Sequence, residues 1–268
     1  MRTIRWFIAA AALCAATGAA SAACEPPGGF DAWLADFRNT AVAQGISERA
    51  VGVALNGVTF DPGVIKKDRS QGVFKQSFEQ FAANRVNPRL KKARSMLNQH
   101  ATLLGNIEQR YGVPGPVLIA IWALETDFGT VRGNMSTIRS LASLAYDCRR
   151  TELFTGELLA AIRIVERGDL SPKEMRGGWA GEIGQAQFLP SSYLNYAVDF
   201  DGNGKRDLIR SSADALASVA NYLKGYGWRS GQPWDEGTAN FAVIQQWNRS
   251  TVYSKTIAYF ATRLATGT

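Results

Sequence analysis

Histidine is almost absent from this sequence: His100 is the only one in 268 residues. A serine or cysteine nucleophile paired with histidine, or a metal centre built on several histidines, has no material beyond that residue. His100 itself lies beside Gln99 in a polar helical stretch and reads as surface. Cysteine is nearly as scarce, at three. Beyond the N-terminus no apolar run is long enough to cross a bilayer. No repeat, low-complexity tract or clear linker interrupts the chain, and no segment alternates apolar and polar residues long enough to demand a strand. Also missing is any basic segment interleaved with aromatics of the kind that stacks on bases, so nucleic acid is not an expected partner.

What is present is a chain with 46% hydrophobic residues, enough for a large core, and a net charge of +7 from scattered cations. That balance favours an anionic partner without naming it. The first residues have the order of a secretory signal peptide: Arg2 and Arg5, an apolar stretch from Trp6 to Ala16, then small residues from Ala19 to Ala23. Residues 1–22 are therefore expected to be removed, leaving 23–268 as an exported, periplasmic chain. Losing Arg2 and Arg5 leaves that chain at +5. Cys14 departs with the leader, so Cys24 and Cys148 remain in a compartment where disulfides form, and a bridge between them is the leading expectation. A lipidated Cys24 is the rival reading. Ser21 stands where an acylation signal usually has an aliphatic residue, which argues against it. Two free thiols are the third reading.

Helical periodicity dominates, and the expected fold class is mainly α. Amphipathic helices are predicted over about Ser47–Leu55, Phe78–Tyr111, Pro116–Asp127, Thr137–Ala145, Glu152–Arg167, Ser212–Tyr226, Phe241–Trp247 and Ser254–Leu264. The segment up to about Gln71 reads as an additional helical lobe packed on the rest. Between Gly177 and Pro190, four glycines, a tryptophan and two glutamines form a loop suited to close backbone approach. Pro190-Ser191-Ser192 then looks like a new helix start.

One carboxylate has the setting of a general acid. In the helix after Gly115, Leu118, Ile121, Trp122 and Glu125 fall on one stripe at helical spacing, so Glu125 shares the inward face. Burial beside a tryptophan raises a carboxyl pKa, as a general acid near neutral pH requires. A salt-bridged or half-exposed glutamate near a helix end is the bland alternative. Asp127 points elsewhere on the helix and reads as solvated.

These residues belong to a longer pattern. Val113-Pro114 precedes Ile121-Trp122-Ala123-Leu124-Glu125-Thr126 and Phe128-Gly129. Trp179-Ala180-Gly181 precedes Gly184-Gln185-Ala186-Gln187-Phe188-Leu189-Pro190-Ser191-Ser192-Tyr193, and later come Ala217-Ser218-Val219-Ala220-Asn221-Tyr222 and Trp247-Asn248-Arg249-Ser250. From about Phe60 to Leu264 the sequence resembles the membrane-bound lytic murein transglycosylase B family of bacterial cell-wall enzymes. The resemblance implies a lysozyme-like helical catalytic domain in which Glu125 is the sole catalytic carboxylate. It would protonate the bond between N-acetylmuramic acid and N-acetylglucosamine. The acetamido group of the substrate would assist, and the muramyl 6-hydroxyl would attack to leave a 1,6-anhydro end. Common glycosidases use two carboxylates, and the sequence offers only one good candidate.

The same resemblance makes Gln187, Asn248 and Tyr253 substrate-contacting residues of the cleft. Gln187 as a mere loop brace and Tyr253 as core are the bland readings. Gly178 departs from the pattern, because family members often carry a serine there that helps hold the sugar or the catalytic glutamate. Asp199-Phe-Asp-Gly-Asn-Gly-Lys-Arg-Asp207 opens like an EF-hand loop, but Arg210 replaces the glutamate at position twelve, which excludes a complete standard site. Some family members bind calcium in such a loop and close it with a later aspartate. The implied ligands are Asp199, Asp201, Asn203, the Lys205 carbonyl, Asp207 and Asp214, in a structural role, with no cofactor required for catalysis. The expected partners are peptidoglycan strands, with cell-wall synthesis or secretion-machinery proteins as further candidates. A hydrolytic muramidase, a non-catalytic wall-binding protein and a calcium-regulated binding protein are the alternatives.

Overall fold

The computed structural model describes residues 26–70 and 76–267; the expected leader and Cys24 lie outside them. The fold is mainly α, as the periodicity implied. At its centre is α6 (Gly115–Thr126), entered through Pro114 and Pro116 and packed against α4 (Phe78–Gln99), α5 (Ala101–Tyr111), α10 (Ser212–Gly225) and α12 (Thr251–Thr266). A single inward stripe was expected, yet every residue from Val117 to Ala123 is buried. A helix apolar all round belongs in the middle of a bundle, not on its surface.

A second layer holds α7 (Thr137–Tyr146) against α8 (Thr151–Arg167), and α8 against α9 (Pro190–Tyr196). On this layer pack α1 (Gly29–Ala43), α2 (Glu48–Ala54) and α3 (Pro62–Arg69). Phe30, Trp33, Phe60 and Tyr146 form one aromatic cluster at that junction. Beside it the buried Asp68 of α3 pairs with both Arg149 and Arg150, and Arg69 donates to Asp147 at 2.8 Å. Cys148, within this same run, is disulfide-bonded.

The sequence predicts one helix over 78–111, but it breaks at His100, which ends α4 and starts α5. His100 is half-buried, not a surface residue, and meets the Trp122 ring edge-on at 5.6 Å. The break lets the second half turn onto α6. Two strands, β1 (Met135–Ser136) and β2 (Arg176–Gly177), form a short antiparallel pair that anchors the loop leading to α9. α11 (Ala239–Trp247) and α12 are joined by three residues, Asn248-Arg249-Ser250, with Ser250 capping α12. That turn lies over the C-terminal end of α6.

Candidate active site

α6 stops one residue after Glu125. Asp127, Phe128 and Gly129 all adopt left-handed backbone conformations, with φ of 49°, 62° and 77°. For two of these, which are not glycine, the conformation is uncommon and must be held from outside. The holding groups are visible. The Thr126 hydroxyl donates to the Gln185 carbonyl at 2.6 Å and accepts from the Gly129 N–H at 2.9 Å. The buried Gln185 accepts from the Trp122 indole at 3.1 Å and donates to the Ile209 carbonyl at 3.2 Å. Asp127 itself faces outward but is not free in solvent, because Arg89 and Lys92 of α4 approach it at 3.5 and 3.6 Å.

This turn places Glu125, half-buried, on the floor of a cleft of about 500 Å³. The Trp247 indole donates to Glu125 Oε1 at 2.9 Å, and the Tyr253 hydroxyl donates to the same oxygen at 2.8 Å. Trp247 closes α11 and Tyr253 lies in the first turn of α12, so the two helix ends that flank one short turn supply these hydrogen bonds. Among the described residues Oε2 has no protein partner. Burial raises the Glu125 pKa above the usual carboxylate range, the two donors oppose that rise, and the negative charge of Glu182 adds to it. The result is a carboxyl group that keeps its proton further towards neutral pH, with one oxygen anchored and the other open.

Gln187 and Asn248 both line the cleft, where the sequence placed them. Gln187, itself left-handed at φ 52°, spends both amide hydrogens on the Arg132 and Gly184 carbonyls, at 3.1 and 2.8 Å. It is thus a loop brace whose oxygen still faces the cleft. Asn248 accepts from the Ser250 N–H at 2.9 Å, which leaves its side-chain NH2 for a ligand. Tyr253 stands under the carboxylate with its hydroxyl on Glu125, so its contact is with the acid, while its ring packs against Phe81.

Two residues escaped the sequence reading. Trp247 appears there only as part of a motif, and Glu182 not at all. Glu182 is a second carboxylate lining the same cleft, held by the Ala180 N–H at 3.0 Å. Of the implied calcium ligands, Asp199, Asp201 and Asp214 bring carboxylate oxygens within 4.8 Å of one another. Asp207 turns instead to Arg210 at 2.9 Å, and the Asn203 oxygen accepts from the Lys205 N–H at 3.0 Å.

A helical body with an anchored, raised-pKa glutamate on the floor of a cleft defines a lysozyme-like domain, and solved structures of that kind superpose on it. The chain belongs to the Transglycosylase SLT domain family, matched over residues 29–238. It is 40% identical over 135 residues to membrane-bound lytic murein transglycosylase B of Escherichia coli, a match covering 50% of this chain and 37% of that protein. This match therefore spans well under half the length of that relative. The structure of SltB3 from Pseudomonas aeruginosa in complex with NAG-NAM-pentapeptide superposes with a TM-score of 0.83 at 34% identity, over 88% of this chain and 79% of that one. The Escherichia coli lytic transglycosylase Slt35 in complex with calcium gives 0.78 at 25% identity, over 87% and 93%.

Proposed function

We propose that this chain is a peptidoglycan lytic transglycosylase that cleaves the bond between N-acetylmuramic acid and N-acetylglucosamine, with Glu125 as acid and then base. The observation that carries the reading is the Glu125 carboxyl itself, anchored through Oε1 by Trp247 and Tyr253, with Oε2 open to the cleft. The proton on Oε2 passes to the glycosidic oxygen as its bond to muramyl C1 breaks. The acetamido carbonyl of the same sugar covers C1 in the interval. The muramyl 6-hydroxyl then forms the new bond to C1 and returns its proton to Glu125, which ends the cycle in its starting form with a 1,6-anhydro product. No outside water enters that balance. Gln187, through its free oxygen, and Asn248, through its free NH2, are the residues to hold the N-acetyl sugars.

Family membership and the similarity to SltB3, whose structure contains a NAG-NAM-pentapeptide, support the choice of substrate. The leader expected over residues 1–22 is consistent with it, since the substrate lies outside the cytoplasm. Cys148 is disulfide-bonded, and Cys24, which lies outside the described residues, is the partner this reading proposes for it. A calcium ion fits the three clustered aspartates, Asp199, Asp201 and Asp214, whose gathered negative charge a hard divalent cation would neutralise. Its contribution would be to the stability of the loop before α10, away from Glu125.

Mass spectrometry of the soluble products after the purified protein digests peptidoglycan tests the reading. Anhydro-muropeptides that disappear with Glu125→Gln are expected. Reducing-end products would replace the transglycosylase by a hydrolytic muramidase, and no products at all would overturn catalysis altogether.

A further inference from the structure

Glu182 has no part in the mechanism above, yet it lines the same cleft as Glu125. Its Oε2 is fixed by the Ala180 N–H at 3.0 Å and occupies the space that a Cβ on Gly178 would need. Gln187 Oε1 lies 3.1 Å from that same point. The missing side chain at 178 thus leaves a gap, and a carboxylate from four residues further on fills it. Burial raises the pKa of the group against two backbone N–H groups that lower it, its own and that of Ala180, and no side-chain donor reaches the carboxylate among the described residues.

The wall beside Gly178 is consequently made of acceptors alone. Both Gln187 amide hydrogens are already taken by backbone carbonyls, so that residue offers only its oxygen, and Glu182 offers only oxygens when ionised. Such a pair calls for a donor from outside the protein. Sugar hydroxyls donate and accept equally; in an N-acetyl sugar the acetamido N–H is the group that donates without accepting.

We infer that Glu182 is a further substrate-binding residue, which accepts a hydrogen bond from the acetamido N–H of the amino sugar seated against Gly178 and so selects N-acetylated glycans. This rests on the functional reading above and adds a specificity residue to it. The group is on the sugar, not on the peptide stem, so the selection is for N-acetylation of the glycan strand.

Isothermal titration in a Glu125→Gln background, where no turnover interferes, tests it with two probes that differ in the acetamido group, a GlcNAc tetramer and a glucose tetramer. The parent should prefer the GlcNAc tetramer, and adding Glu182→Ala should cut that preference roughly tenfold, the share of one hydrogen bond to a charged group. A ratio of affinities is insensitive to partial loss of folded protein, and the melting temperature of the same samples checks folding separately. An unchanged preference in Glu182→Ala overturns the inference while leaving the transglycosylase reading intact. Failure of the Glu125→Gln protein to bind either tetramer overturns both. A second variant pair sharpens the geometry: Gly178→Ser alone should displace the Glu182 carboxylate and lower the preference, whereas Gly178→Ser with Glu182→Ala should do no worse than Glu182→Ala by itself.

Discussion

Glu125 carries two hydrogen bonds on one oxygen, and each lowers a pKa that burial has raised. Replacing Tyr253 or Trp247 by Phe removes a donor that favours the ionised form, so the Glu125 pKa should rise further. The acid must be protonated to act, and activity is lost as pH rises through its pKa. Tyr253→Phe and Trp247→Phe should therefore move the basic limb of the kcat/KM profile to higher pH, while loss of positioning lowers the rate roughly tenfold. Glu182→Gln removes a negative neighbour and should move the same limb the other way, to lower pH; an unmoved limb in all three would contradict the electrostatic account. At this scale a glutamate beside tryptophan in an apolar helix made Glu125 a candidate, and the family resemblance singled it out as the proposed acid. Trp247 was not legible, since its role depends on an approach across 122 residues of sequence. Glu182 was hidden for a different reason: its importance comes from the absence of a side chain at Gly178.

The elements were legible where amphipathic spacing was strong and failed where packing overrode it. α7, α8, α10 and α12 match the expected ranges within a few residues. α1 and α3 are absent from the prediction although both leave marks. Leu34, Phe37 and Ala41 fall on one face of α1, and α3 begins with Asp61 as cap and Pro62 in its first turn. The break at His100 has no glycine or proline to announce it and follows from the fit against Trp122. Gln185 is the element-scale counterpart of these contacts, because its amide oxygen ties the loop of residues 177–190 to Trp122 of α6 and its NH2 ties the same loop to the Ile209 carbonyl. Gln185→Ala would leave the Trp122 indole unsatisfied in the core, and about 2 kcal/mol of stability should be lost in urea unfolding. The left-handed turn after Glu125 would loosen as well, so activity should fall more than the loss of folded protein explains.

On the scale of the whole molecule the dominant property is charge. Under the proposed function a chain at +5 without its expected leader should bind an anionic cell wall less as salt rises, so sedimentation with purified peptidoglycan should weaken between low ionic strength and about 0.5 M salt, where the Debye length falls to a few ångströms. Removing calcium with a chelator should lower the melting temperature while leaving the rate per folded molecule unchanged, which a thermal scan and an assay below the transition would separate. The central helix adds its own field to this picture. Three left-handed residues end α6 directly behind Glu125, and although the Trp122, Ala123 and Thr126 carbonyls accept from the N–H groups of Phe128, Asp127 and Val131, the cleft floor still lies at the negative pole of the helix dipole. Glu125 and Glu182, whose pKa values burial raises, deepen that negative pit only when they ionise. A sugar mimic with a protonated nitrogen in its ring should find there an attraction that a neutral sugar does not, and its inhibition should strengthen as pH rises and the two carboxyls ionise.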